Sequence, residues 1–192
     1  MEMIKMPLNH IGTQPIQTER LLLRRFEHDD SHSAFAHWAG DPLVQPMYAE
    51  PVYASEEAVK ELLHRYISGY SQSSCYRWAI TPLGGNNCIG QIAYFLLDDK
   101  NHFAEIEYCI SRAHQNQGLV TEAVRAVMQF GFAQINLHKV QVCHRPDNPA
   151  SRRVIKKCGF RYEGTLRDYF HVDGKYFDRL YYSVLHSEWK AS

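Results

Sequence analysis

A chain of 192 residues, 45% hydrophobic and 22% charged, is sized for one domain with one sizeable core. Its 21 basic and 21 acidic side chains cancel, so the overall charge supports neither nucleic-acid binding nor attachment to a membrane surface. The five cysteines form no CxxC pair, and no stretch approaches the roughly 20 apolar residues of a membrane span or the pattern of a signal peptide. A cytoplasmic protein with reduced thiols and no metal site is therefore expected.

Residues 1–17, with Pro7, Gly12 and Pro15, lack periodicity and read as an extended arm ahead of a domain over 18–192. Leu21 to Phe26 reads as a short strand. Asp29 and Asp30 start a helix that Gly40 and Pro42 stop, and a Pro-marked loop follows from Asp41 to Tyr53. Ser55 is a good N-cap. Behind it Glu56 and Glu57 favour the first turn, and Ala58, Leu62, Leu63, Tyr66 and Ile67 give an apolar face that ends at Gly69. Tyr76 to Thr81 and Cys88 to Leu96 read as antiparallel strands around a Gly-rich turn, with Gly90 a bulge or a close backbone approach.

The stretch from Ala104 to Ala123 is the centre of the chain. Ile106, Tyr108 and Ile110 alternate with Glu105, Glu107 and Cys109, the period of a strand with one apolar and one polar face. His114 to Gly118 breaks that pattern, and from Leu119 onward Val120, Ala123, Val124, Val127 and Met128 recur at helical spacing. A strand, a glycine loop and a helix start in succession aim backbone N–H groups and the positive end of a helix dipole at one spot, which suits a phosphate. Lys139 to Cys143 reads as the next strand. Asn148 and Pro149 are an N-cap and first-turn proline, and Gly159 ends their helix. Arg161 to Leu166 and Leu180 to His186 close the chain as strands, with Asp173-Gly174 as a hairpin signal. The order implies an α+β, or mixed α/β, single domain: a mostly antiparallel central sheet with one parallel crossover pair, flanked by helices.

Four segments carry a resemblance to the GCN5-related N-acetyltransferase (GNAT) family of the RimJ/RimL type. They are Thr18–Phe26 (TERLLLRRF), Ala104–Ile110 (AEIEYCI), Gln115–Ala123 (QNQGLVTEA) and Asp147–Ser151 running into Cys158-Gly159-Phe160 and Glu163-Gly164. The third resembles the family's acetyl-CoA pyrophosphate loop, with Val120 where Gly or Ala is usual and Asn116 where a second Gly is common. Glu107 stands where many relatives have Gly.

The resemblance implies a GNAT-like fold whose central parallel strands splay apart to admit the pantetheine arm. Backbone groups of Tyr108, Cys109 and Ile110 would pair with that arm, one N–H serving as an oxyanion donor. Gln115, Asn116, Gln117, Gly118, Leu119 and Val120 would hold the pyrophosphate, with Arg112, Arg125, Arg152 and Lys156 as candidates for the remaining phosphates. Asn148 would orient the cofactor or a water, and Ser151 would protonate the leaving thiolate, roles that stand beside a plain helix-capping one. Glu107, Glu105 and His144 are the candidate bases, Glu105 and Glu107 sharing one strand face. Tyr169 and His171 would roof the acceptor site. The implied activity is acetyl transfer from acetyl-CoA to a primary amine, with a protein N-terminal α-amine as acceptor and a monomer or homodimer as the working form. The alternatives are a small-amine acetyltransferase, for which Glu105, Glu107, Asp98 and Asp99 would supply an acidic cleft, and a non-catalytic acyl-CoA-binding module.

Overall fold

The computed structural model describes residues 7–48, 50–172 and 174–189. Its strands are β1 (Ile16–Gln17), β2 (Leu21–Arg24), β3 (Tyr76–Pro82), β4 (Gly90–Asp98), β5 (Phe103–Ile110), β6 (Lys139–His144), β7 (Arg161–Val172) and β8 (Lys175–Leu185). Among the described residues they form one sheet in the order β1-β2-β3-β4-β5-β6-β8-β7. Every neighbouring pair is antiparallel except β5 and β6, which are parallel as a strand–helix–strand crossover requires. The helices are α1 (Asp30–Ala34), which runs into a π-turn at Phe35–Ala39, α2 (Glu56–Gly69), α3 (Leu119–Phe130) and α4 (Pro149–Lys157).

Two apolar clusters hold the layers together. α3 buries Leu119, Ala123, Val124, Val127 and Met128 in one cluster with Leu23, Trp78, Ile92, Ile106 and Ile110 of the sheet. The other cluster joins Trp38, Val59, Leu62 and Leu63 from the α1 and α2 region to Phe26, Ala79, Cys88 and Cys109. Each fully buried Leu or Ile here contributes about 1.5–3 kcal/mol relative to an exposed one. Because both faces of the sheet are covered, the polar face expected for β5 is buried as well: Glu105 is 1% exposed and Cys109 6%. Gly90 is a close approach rather than a bulge. A Cβ there would lie 2.3 Å from the Cys109 carbonyl oxygen of β5, and the β4 irregularity falls instead between Tyr94 and Leu96.

The described part of the arm, from Pro7, packs on the domain. The Asn9 N–H donates to the Ile135 carbonyl (2.9 Å), Thr13 Oγ1 donates to the Cys75 carbonyl (2.9 Å), and the Trp78 indole N–H donates to the Gln14 carbonyl (2.7 Å). A buried indole needs such an acceptor, and the arm supplies it. The last two strands run further than their pattern predicts, pairing from Arg161 with Ser183 to Val172 with Lys175. β8 pairs with β6 only as far as Leu180, so the outer half of the hairpin is solvated and its mixed polar residues carry no alternation to read. Gly174 of the hairpin signal is at φ +75°; Asp173 lies outside the described residues.

Candidate functional site

The site begins where the two central strands part. β5 and β6 are paired from Phe103 and Lys139 to Ile106 and Val142. Beyond that point β5 stays on β4 as far as Ile110, and β6 stays on β8 as far as His144. A cavity of about 750 Å³ opens between them, within the range of a small-molecule site. It brings together Glu107, Tyr108, Cys109, Ile110, Gln115 and Asn116 with Gly118, Leu119, Val120, His144, Asn148 and Ser151. Of the residues expected to act as bases or proton donor, or to hold the arm and the pyrophosphate, Glu105 and Gln117 do not line it.

One end of the cavity is the N-terminus of α3. Gly118 caps the helix at φ +81°, with no side chain to accept from its first N–H groups. Those donors are the orphans of any helix start, and they carry the positive end of the dipole. These donors belong to the backbone, so Val120 in place of Gly or Ala does not remove one. The loop is held by Glu122. Its carboxylate accepts from Thr18 Oγ1 (2.6 Å), from the Arg20 N–H (2.9 Å) and from Arg20 Nε (2.7 Å), while Arg20 Nη1 donates to the Gln117 carbonyl (2.9 Å). Burial alone would raise the Glu122 carboxyl, but the bonds from Thr18 and Arg20 outweigh it and hold the group below the usual range. The two segments Thr18–Phe26 and Gln115–Ala123, distant in sequence, thus form one structure.

The cations near this end are not those expected. Arg112 lines the cavity but is ion-paired to Asp41 at 2.6 Å, and Arg125 donates to the Lys157 carbonyl. Arg152 and Lys156 do not line it; Arg153 and Lys157 do, four apart on one face of α4. Arg153 Nη2 donates to Asn116 Oδ1 at 3.3 Å. The i, i+4 spacing was visible in the sequence, but the side of the helix facing the loop was not.

In the middle, Asn148 Oδ1 accepts from the Ser151 N–H at 3.0 Å, the N-cap bond expected of that pair. Ser151 Oγ lies 2.8 Å from the Tyr108 hydroxyl across the splay. His144 is buried, its Nδ1–H donating to the Arg145 carbonyl (2.6 Å), which leaves Nε2 to accept from the Tyr182 hydroxyl at 3.3 Å. Burial pushes the imidazole pKa down, so the neutral form persists.

The far end carries Leu43, Met47, Phe95, Tyr169 and Phe170 together with paired charges. Glu107 accepts from Arg77 at 2.8 Å, and Arg145 is bidentate to Asp147. Glu105, behind the wall, is paired with Arg179 and accepts from Gln141 Nε2 at 2.8 Å. Arg179 lines the cavity between the rings of Tyr169 and Tyr181, 4.5 and 4.6 Å from their centroids. His171 does not line the cavity, and the acidic cleft conceived from Asp98 and Asp99 does not form there: Asp98 closes a turn on Asn101 and Asp99 pairs with His10. Glu50, from the Pro-marked loop, does line it and has no ion-pair partner among the described residues. Desolvation by burial and then the charge of Glu107 push its carboxyl up, against the opposing charges of Arg77 and Arg65. Arg179 and Glu50 were missed because neither sits in a motif; only the folded hairpin and loop bring them here.

Among the described residues there is no cluster of three or more His, Cys, Asp or Glu side chains able to hold a metal ion, and no helix is long and apolar enough to cross a membrane. The chain matches the acetyltransferase (GNAT) domain family over residues 20–161. It is similar to YdaF of Bacillus subtilis (strain 168), provisionally named a ribosomal N-acetyltransferase, at 37% identity over 107 residues, 56% of this chain and 58% of that one. It is also similar to the spermidine N(1)-acetyltransferase of Escherichia coli (strain K12), at 26% identity over 97% of this chain and 92% of the relative. A crystal structure of a GNAT-family acetyltransferase from Bacillus anthracis superposes with a TM-score of 0.80 at 26% identity, covering 91% of this chain and all of that one.

Proposed function

The chain belongs to the GNAT acetyltransferase family and is an N-acetyltransferase, and from that premise we propose that its donor is acetyl-CoA and its acceptor the N-terminal α-amine of a protein. The observation that carries the reading is one continuous cavity, with uncapped helix N–H groups at one end, the parting of β5 from β6 in the middle and an aromatic pocket with paired charges at the other. The pyrophosphate would sit on the N–H groups after Gly118, with Arg153 and Lys157 beside it. The pantetheine arm would run along β5 from Glu107 to Ile110, where β6 no longer accompanies it, and a backbone N–H there would face the thioester carbonyl oxygen. Acetyl-CoA supplies the activated acyl group. The chain supplies position, an anion site, and groups that move two protons.

The acceptor end favours a single amine over a polycation. A polyamine site calls for uncompensated carboxylates, whereas Glu107, Asp147 and the buried Glu105 each face an arginine. Glu50 has no ion pair among the described residues, only the charges of Arg77 and Arg65 nearby, and a carboxyl with a raised pKa is suited to taking one proton from one incoming ammonium. Leu43, Met47, Phe95 and Phe170 suit the first side chains of a peptide. The likeness to YdaF supports the same acceptor class, and the likeness to the spermidine enzyme makes the polyamine the reading to exclude.

Thiol release from acetyl-CoA, followed against peptides with varied first residues and against spermidine, tests the acceptor. Turnover is expected on a subset of the peptides; turnover confined to spermidine overturns the assignment, and cofactor binding without turnover on any amine makes the chain a binding module. The donor site has its own test. Gly118→Val should weaken acetyl-CoA binding by about tenfold or more, because a β-branched residue at φ +81° costs on the order of 1–3 kcal/mol and shifts the loop. The space itself is open, the nearest atom to a Cβ being Arg20 Nη2 at 3.5 Å, so backbone strain rather than a clash is what calorimetry would register. Unaltered affinity would move the pyrophosphate elsewhere.

A further inference from the structure

We infer that Tyr108 is a positioning residue for the acetyl transfer, its hydroxyl donating to Ser151 Oγ so that the serine's own proton is turned into the cavity toward the leaving sulfur. The inference rests on the reading of Ser151 as the proton donor. Tyr108 stands in the stretch of β5 that β6 no longer accompanies, and Ser151 stands in the first turn of α4; the two hydroxyls meet at 2.8 Å across the opening between the strands. Both residues line the cavity.

The direction of the bond decides what the pair does. Either oxygen can donate by geometry. If Ser151 donates, its proton is spent on the phenol and none faces the substrate. If Tyr108 donates, Ser151 Oγ keeps its proton free to rotate toward the thioester. The phenol has a second acceptor within reach, the Ser151 carbonyl, but at 3.5 Å against 2.8 Å for Oγ. The shorter contact is within the range of an O–H···O bond and the longer is outside it. Burial keeps the phenol protonated through the neutral range, so Tyr108 remains a donor and is not a source of net protons. A bond into Oγ also stabilises negative charge that develops there, which offsets the poor intrinsic acidity of a serine hydroxyl.

The proton count closes without another reagent. The neutral amine nitrogen forms a bond to the acyl carbon, and the carbon–sulfur bond breaks with its electron pair on sulfur. Sulfur takes the Ser151 proton. The nitrogen, now bearing one proton too many for an amide, returns one to the Ser151 oxygen through water. Tyr108 ends as it began.

The test is a cycle of Tyr108→Phe, Ser151→Ala and the double variant, with kcat and KM for acetyl-CoA measured across pH and thermal melting checked for each. Phe keeps the ring and its packing, so only the hydroxyl is removed. Tyr108→Phe is expected to lower kcat about tenfold with KM unchanged, and to change kcat less than about twofold once Ser151 is already Ala, since two residues acting as one unit are not additive. An equal loss in both backgrounds would make Tyr108 an independent or merely structural residue, and a wild-type rate in Tyr108→Phe would also overturn the inference. Wild-type turnover in Ser151→Ala alone would remove the serine reading on which it stands, a result distinct from a failure of the tyrosine alone.

Discussion

Ser151→Ala is expected to lower kcat by about a hundredfold while leaving KM for acetyl-CoA within about twofold, the pattern of a group that acts in the transition state and not in binding. The helix should not notice the change. The N-cap bond runs from the Ser151 backbone N–H to Asn148 Oδ1, which alanine preserves, and alanine is the better helix former. What is lost is the hydroxyl that meets Tyr108 at 2.8 Å inside the cavity. The expected loss is at the low end of the range for acid–base groups because holding amine and thioester together supplies much of the acceleration. Steady-state kinetics on the best peptide acceptor checks it. An unchanged kcat would reduce Ser151 to a helix-start residue and leave water to protonate the thiolate.

Arg179→Ala should cost about 3–5 kcal/mol of stability, the usual penalty for removing one partner of a buried ion pair. Glu105 is 1% exposed and Arg179 7%, and their bond lies beneath the β6–β8 pairing. Without the guanidinium, Glu105 would keep the Gln141 amide as a hydrogen-bond donor but no cation beside its charge, and the rings of Tyr169 and Tyr181 would lose the cation between them. Denaturation by guanidinium chloride should therefore show a lower midpoint than wild type. Replacing both partners, Glu105→Leu with Arg179→Met, should recover most of the loss. A single variant as stable as wild type would mean that water reaches the pair and that the end of the cavity is wetter than its burial indicates.

Much of the arrangement was legible in the chain because it is written locally. Ser55 and Asn148 announce their helices through side chains that bond their own third residue on, and the structure has both bonds, Ser55 Oγ from Ala58 N–H at 3.2 Å and Asn148 Oδ1 from Ser151 N–H at 3.0 Å. The period-two run of β5 and the helical run of α3 follow from the spacing of apolar residues, as does the loop at Gly118 between them. The outer half of the β7–β8 hairpin was not legible. It is solvated, and with no buried face there is no alternation to see.

The sequence by itself determined the order of strands and helices from β2 onward, though not β1, which lies in the stretch read as an arm, together with the parallel crossover at the centre, the glycine loop that opens α3 and the resemblance that places them in one family. Each of these depends on residues within a turn or two of one another, or on a short motif. Only the tertiary structure decided where β5 and β6 part, that Arg153 and Lys157 rather than Arg152 and Lys156 face the cavity, and that Glu105 and Glu107 are each matched by an arginine. Those are long-range outcomes. Arg179 lies 74 residues from Glu105, and Tyr108 lies 43 from Ser151. A carboxylate's charge balance and a hydroxyl's partner are set by what the fold brings within about 3 Å, which no local spacing encodes.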